Sequence, residues 1–281
     1  MKLIGVDLGG TKITAALIED TKIIRQFTCP TPYDQEKMVI VKAIMSTISS
    51  IYDPEVAGIG IGVPGLVDLQ NDTVIDVTNI PSWDVVPLKS FLQERFQKPV
   101  FVNNDANCFA VGEKYFGKGQ VFQNFVGLTI GTGMGAGIII NNHLYSGKFC
   151  GAGEFGTMIY RDKTVEAYAS GQFFKDQNLS GKELSKQALL GDPKALQQFN
   201  ELGEHIGRAI ANILFALAPE AVILGGSVSQ SFPLFEHGMR SVLENKFPYR
   251  RLYQSLTIEA SELKDSSILG ASSLVLDALN I

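Results

Sequence analysis

Ile4-Gly5-Val6-Asp7-Leu8-Gly9-Gly10-Thr11-Lys12 is the stretch on which the fold turns. Apolar residues run into one acid, then a glycine pair, a threonine and a lysine. Ile13-Thr14-Ala15-Ala16-Leu17-Ile18 follows as a second apolar run, so the pattern predicts a strand, a tight turn and a strand back. Gly9 and Gly10 carry no Cβ, which lets backbone N–H groups come close to an anion. Thr11 adds a hydroxyl and Lys12 a positive charge. Asp7 cannot meet a phosphate unaided; its natural partner is a divalent cation reached through water, because Mg²⁺ keeps much of its hydration. Two readings fit this segment alone, a phosphate turn and a plain hairpin whose first strand ends in an acid.

A second copy shifts the balance. Val126-Gly127-Leu128-Thr129-Ile130-Gly131-Thr132-Gly133-Met134-Gly135-Ala136-Gly137-Ile138-Ile139-Ile140 lines up with residues 4–18 without a gap. Gly5 falls on Gly127, Gly9 on Gly131 and Ile18 on Ile140, and Glu19-Asp20 falls on Asn141-Asn142. An internal repeat outranks local signals in deciding a fold. Two similar units with phosphate-compatible turns imply two halves facing one ligand across a cleft. The copy has Thr129 where the first has Asp7, so only one half carries the metal-facing charge.

The bulk properties are those of a soluble globular protein. The 281 residues suit two modest domains, and 45% hydrophobic against 19% charged residues fits a full core. A net charge of −5 argues against general affinity for nucleic acid or anionic membranes. Cys29, Cys108 and Cys150 are far apart and form no CxxC pair, which suggests neither a disulfide framework nor a zinc ribbon. A reduced cytoplasm is the natural compartment. The first strand begins at Lys2 or Leu3, which leaves no room for a signal peptide, and no apolar run is long enough to span a membrane.

Further along, Asp34 is placed to cap a helix reaching about Tyr52, and Ala57 to Val63 reads as a strand entering Pro64-Gly65. Gly60-x-Gly62-x-x-Gly65 matches a dinucleotide fingerprint by letter. That fingerprint needs a helix opening at its last glycines, whereas Pro64 and the strand-like Leu66-Val67-Asp68 argue otherwise. Val100-Phe101-Val102 is a strand running into Asn103-Asn104-Asp105-Ala106-Asn107 and a helix. Asp105 fits a helix N-cap by position. Gly117-Lys118-Gly119 reads as a crossing between domains. Asp192-Pro193 opens a long helix through about Ala218 with an apolar stripe. Leu224-Gly225-Gly226-Ser227 is a glycine-rich turn after a buried strand, and a last helix runs from about Ser267 to Leu279.

Asp7-x-Gly9-Gly10-Thr11-Lys12, Gly131-Thr132-Gly133-x-Gly135 and Leu224-Gly225-Gly226-Ser227, in that order, resemble the actin/hexokinase-like ATPase fold. Within it the chain resembles the family of bacterial repressors, open-reading-frame proteins and sugar kinases, the ROK family, over essentially its whole length. The resemblance implies an α/β fold of two α/β domains with a duplicated core and an interdomain cleft. Residues 1–117 with 268–281 would form one domain and 118–267 the other. It implies ATP-dependent phosphorylation of a hexose or hexose derivative, at the 6-hydroxyl as in a glucokinase. Asp105 would be the general base. Gly65, Asn79, Asn104, Glu154 and Glu166 would contact the sugar. Asp7, Gly9, Gly10, Thr11, Lys12, Thr132, Gly133, Gly135, Gly225 and Gly226 would serve ATP, with Asp7 reaching Mg²⁺ through water. For Gly65 a bend packed on a neighbour, for Asn79 and Trp83 a core loop, and for Glu154 a solvated turn acid also fit. A homodimer is the family expectation.

The chain departs from the family at Thr157, where most relatives have a histidine that touches the sugar and helps bind a structural zinc. The cysteine-rich segment supplying the other ligands is missing too, so no zinc is expected. A non-catalytic sugar-binding module and a sugar-sensing regulator of the same family stand as the alternative function.

Overall fold

Alternation of side chains explains the first sheet. In the computed structural model, which describes residues 1–77 and 80–279, β1 (Lys2–Leu8) and β2 (Lys12–Glu19) pair antiparallel from Lys2↔Glu19 to Leu8↔Ile13. β3 (Lys22–Pro30) continues antiparallel on β2 with a bulge at Leu17/Ile18. Helix α1 (Lys37–Ser49) leads to β4 (Ile59–Val63), which pairs parallel with β1. A small sheet follows, made of β5 (Leu66–Asp68), β6 (Thr73–Ile75) and β7 (Val85–Val86). Then come α2 (Leu88–Phe96), β8 (Val100–Asn104), parallel to β4, and α3 (Asp105–Phe116).

The copy repeats this plan. β9 (Phe125–Ile130) and β10 (Met134–Ile140) form the second hairpin, and β11 (His143–Leu144) pairs antiparallel with the end of β10. β12 (Ile159–Tyr160) and β13 (Lys163–Thr164) make a minimal hairpin before helices α4 (Val165–Ala169), α5 (Gln172–Lys175), α6 (Gly181–Leu189) and α7 (Pro193–Leu217). β14 (Ala221–Gly225) pairs parallel with β9, and after α8 (Phe232–Lys246) and α9 (Arg250–Gln254) β15 (Thr257–Ala260) pairs parallel with β14. Helix α10 (Ser266–Leu279) ends the described chain. The sheet orders, β3-β2-β1-β4-β8 and β11-β10-β9-β14-β15, are the same topology twice. The gapless match slips at its far end: β2 has eight residues and β10 seven. The left-handed turn pairs are therefore Asp20-Thr21 and Asn141-Asn142, both of the type that closes tight hairpins.

In the first sheet Ile4, Val6 and Leu8 alternate with Leu3, Gly5 and Asp7. The former join Ile59, Ile61, Val63, Ile40, Ile44 and Trp83 in one core, which places the tryptophan inside as a wall residue. The other face is covered by α10. A Cβ on Gly5 would run into Ile268 O, and one on Gly60 into Ala271 O. A Cβ on Gly112 of α3 would stand 2.8 Å from Gly270 Cα. The glycines read by letter as a dinucleotide fingerprint are thus seats for helices, Gly60 under α10 and Gly62 beside Cys108 of α3. No helix opens after Gly65; β5 does.

The chain divides into compact units 1–121 with 137–152 and 262–281, and 122–136 with 153–261. The chain passes from one unit to the other at 121/122, 136/137, 152/153 and 261/262. The segment 137–152 groups with the first unit because the end of β10 packs on α3: a Cβ on Gly137 would lie 2.6 Å from Ala106 O and Ala110 Cβ. Asp34 does not cap α1; the N-cap is Glu36, and the Asp34 carboxylate accepts from Gln35 Nε2 at 3.1 Å. In the second unit Asp192 does cap α7, its Oδ1 accepting from Ala195 N at 2.8 Å, with Pro193 in the first turn.

Candidate active site

Three parallel strands of the first unit end side by side. The register sets Asp7 of β1 against Gly62 of β4, and Gly62 and Val63 against Asn103 and Asn104 of β8. Ligands in open parallel sheets gather at such carboxyl ends. Asn104, not Asp105, is the N-cap of α3: its Oδ1 accepts from Ala106 N at 2.9 Å. Its Nδ2 donates to Gly65 O at 3.2 Å, so the Pro-Gly bend and the strand end hold each other. Buried Asn103 fixes the junction from beneath, accepting from Asn104 N at 2.8 Å and from Asn107 Nδ2 at 2.9 Å. Asp105 opens the helix with its side chain exposed and Oδ1 2.8 Å from Ala106 N.

The Gly9–Lys12 turn is closed by Gly9 N donating to Lys12 O at 2.9 Å. Thr31 clamps it from β3's end, its hydroxyl donating to Gly9 O at 2.7 Å and its N–H to Thr11 O at 3.0 Å. Thr11 and Lys12 are exposed. Desolvation raises the Asp7 carboxyl above its ordinary range, opposed by a hydrogen bond with Ser267 and by the charge of Lys12. The buried Cys108 thiol is pushed well up, by burial first and then by the charges of Asp105 and Asp7. Both carboxylates therefore act on one neighbourhood.

In the second unit the turn is held differently. Gly131 N donates to Gly133 O at 2.9 Å, and Met134 N donates to Glu166 Oε2 at 3.1 Å. A Cβ on Gly133 would stand 2.5 Å from that same Oε2, so this glycine makes room for the Glu166 carboxylate. Gly135 sits within β10, its carbonyl accepting from Thr129 Oγ1 at 3.2 Å. Desolvation, and then the charge of Glu166, raise the Glu154 carboxyl. Thr157 turns back on the same loop, its hydroxyl donating to Glu154 O at 2.9 Å.

A cavity of about 630 Å³ opens beside the turn, lined among others by Gly131, Thr132, Lys175, Lys182, Lys186 and Ser227. Gly225 and Gly226 are not on its wall; Gly226, at φ 84°, tucks under the carbonyl of Ile130. A smaller cavity of about 320 Å³ in the first unit takes in none of the expected site residues.

Asp7, Gly9, Gly10, Thr11, Lys12, Gly65, Asn104 and Asp105 thus belong to the first unit, and Thr132, Gly133, Gly135, Glu154, Glu166, Gly225 and Gly226 to the second. Asn79 lies outside the described residues. Sequence reading missed α6 and its lysines. The signal was present: Ser180-x-x-Glu183 is a capping box, and Ser180 Oγ accepts from Glu183 N at 3.3 Å. Among the described residues no group of three or more His, Cys, Asp or Glu is arranged to hold a metal ion. A lone desolvated carboxylate such as Asp7 suits a hydrated Mg²⁺ shared with phosphates, which needs no protein cage.

Comparison with known proteins agrees with the topology. The glucokinase of Thermotoga maritima is 32% identical over 310 aligned residues, covering 98% of this chain and 97% of that protein. The xylose repressor of Bacillus subtilis is 33% identical, covering 98% of this chain and 77% of the repressor. The structure of a ROK family glucokinase from Streptomyces griseus in complex with glucose and AMPPNP superposes with a TM-score of 0.81 at 32% identity, covering 98% of this chain and 99% of that one. The fold is the actin/hexokinase-like one. With the sequence profile of the ROK family matching residues 3–278, the chain belongs to the ROK family.

Proposed function

We propose that the chain is an ATP-dependent sugar kinase that phosphorylates the 6-hydroxyl of a hexose or hexose derivative. The observation that carries this reading is Asp105, exposed at the first turn of α3, where the carboxyl ends of β1, β4 and β8 also bring Asp7. Phosphoryl transfer needs positioning and charge stabilisation more than covalent help from the protein. Asp105 takes the proton of the attacking hydroxyl as its oxygen bonds to the γ-phosphorus; the bond from that phosphorus to the bridging oxygen breaks, and ADP leaves. Asn104, Gly65, Asn79, Glu154 and Glu166 bind the remaining sugar hydroxyls. The turn of Gly9, Gly10, Thr11 and Lys12 and that of Thr132, Gly133 and Gly135 hold phosphates, with Gly225 and Gly226 backing the nucleoside. Asp7 would hold Mg²⁺ through water, and the ion when bound supplies neutralisation of phosphate charge.

This reading involves no zinc, nucleic acid or membrane. Among the described residues no helix is long and apolar enough to cross a bilayer. The reading places the enzyme in the cytoplasm as a homodimer, which light scattering checks. The resemblance to a glucokinase over nearly the full length of both chains supports it. The deciding experiment is a coupled ADP-release assay across a panel of hexoses with Mg²⁺. Asp105→Asn should cut turnover by about 10²–10⁴-fold, the usual worth of a general base, while sugar affinity stays near wild type. Near-normal turnover in that variant removes Asp105 as base.

A second reading, a non-catalytic sugar-sensing regulator, is favoured by the 33% identity to a repressor. Sugar binding by the wild type with no ADP released from any hexose would select it.

A further inference from the structure

Ser170 lies at the end of α4 with 0% exposure, and its hydroxyl has two carbonyl oxygens in reach. Thr132 O, on the hairpin turn, is 2.9 Å away, and Glu166 O, on α4 itself, is 2.6 Å away. A serine hydroxyl has one proton to give. Gln172 N donates to the same oxygen at 3.2 Å, which leaves the proton to choose between the two carbonyls. Two further bonds join the same segments: Gly171 N to Gly131 O at 2.7 Å and Met134 N to Glu166 Oε2 at 3.1 Å. The turn offered to phosphate and the helix that carries Glu166 are therefore stitched along residues 131–134 and 166–171.

The Thr132–Gly133 peptide group sits at the centre of this arrangement. Its carbonyl accepts from Ser170, and its N–H belongs to Gly133. A phosphate oxygen accepting from that N–H would polarise the whole peptide and strengthen its carbonyl as an acceptor, since linked hydrogen bonds reinforce one another. The Ser170 proton would then move from Glu166 O to Thr132 O.

We propose that Ser170 is a positioning residue that couples nucleotide binding at the Gly131–Gly133 turn to the placement of Glu166. The proposal rests on the kinase reading above, which gives the turn to phosphate and Glu166 to the sugar. By reciprocity of linkage, a sugar held by Glu166 tightens nucleotide binding by the same factor. Gly133 fits this role, because a Cβ there would stand 2.5 Å from Glu166 Oε2 and displace the carboxylate from its present place against the turn.

The test uses AMPPNP with Mg²⁺ as the probe and hydrogen exchange as the readout. In the full-length wild type, the nucleotide should slow exchange both at 131–134 and at 165–171, the latter at least about threefold, a coupling of roughly 0.7 kcal/mol. In Ser170→Ala protection should remain at the turn and disappear from 165–171. Ser170→Cys, which keeps the size and a weaker donor, should fall between them and serves if the alanine variant does not fold. Ser273→Ala, at a buried serine that bonds only within α10, should behave as wild type. AMPPNP binding that leaves 165–171 unchanged in the wild type, or protects it equally in Ser170→Ala, overturns the coupling and leaves the kinase reading standing. Failure of the wild type to bind AMPPNP overturns both.

Discussion

His205 shows how one side chain can set a pH limit far from any catalytic role. It lies on α7 with 3% exposure, packed among the rings of Tyr160, Tyr168 and Phe173. Nδ1 is 3.2 Å from the Tyr160 hydroxyl, and Nε2 has no hydrogen-bond partner. Burial, reinforced by the charges of Arg161 and Arg208, lowers its pKa to about 4. Unfolded, the ring titrates near 6.5. Between those values the unfolded chain binds a proton that the folded chain refuses, so stability is full above pH 6.5 and declines as pH falls toward 4. At about 1.4 kcal/mol per pKa unit the loss is about 3 kcal/mol at most. His205→Phe should remove that part of the acid loss; urea midpoints at pH 7 and 4.5, compared with wild type, check it. Equal losses in both proteins would mean that His205 does not titrate there. In the sequence this histidine is one polar letter beside an apolar stripe. Nothing local says that β12, α4 and α5 will fold aromatic rings onto it.

At the scale of elements, the legible features were those whose cause is local. The two hairpins announce themselves through glycine turns between apolar runs, and α7 through Asp192-Pro193 and a stripe of Phe199, Leu202, Ile206 and Ile210. The Asn104–Asp105 junction was legible as a strand meeting a helix start, although the capping side chain proved to be Asn104. What stayed hidden depends on partners distant in sequence. Pro64 already argues against a dinucleotide motif at Gly60, but the glycine's use as a seat shows only when Ala271, more than two hundred residues later, is found over it. At Gly133 nothing local shows that the Glu166 carboxylate stands against the turn. Gly60→Ala tests the seat of α10 directly. The added Cβ would collide with backbone, which has no rotamer to yield, so we expect a loss of about 1–3 kcal/mol, the range for overpacked cores, or failure to fold. Chemical denaturation measures it, and a loss under about 0.5 kcal/mol would mean that the helix shifts freely.

For the whole molecule, the order of elements along the chain differs from their grouping in space. The first unit takes its central strands from residues 2–104 but its covering helix α10 from residues 266–279. Ile268 and Leu269 pack with Ala16 and Ile18, and Val275 and Leu276 with Leu3. Native-state hydrogen exchange should show it: amides of α10 should open with the free energy of β1 and β4, because segments that share a core open together. Exchange of α10 in step with β9 and β14 instead would break this assignment.

The same arrangement sets a schedule for biosynthesis. A ribosome making this protein releases β1, β4 and their alternating glycines early, yet cannot supply the helix that shields them until the entire second unit has been translated. For that interval the nascent chain carries an uncovered sheet face, and its first half ripens only once α10 has emerged. Slow translation prolongs the exposure, and holdase chaperones would find their substrate there.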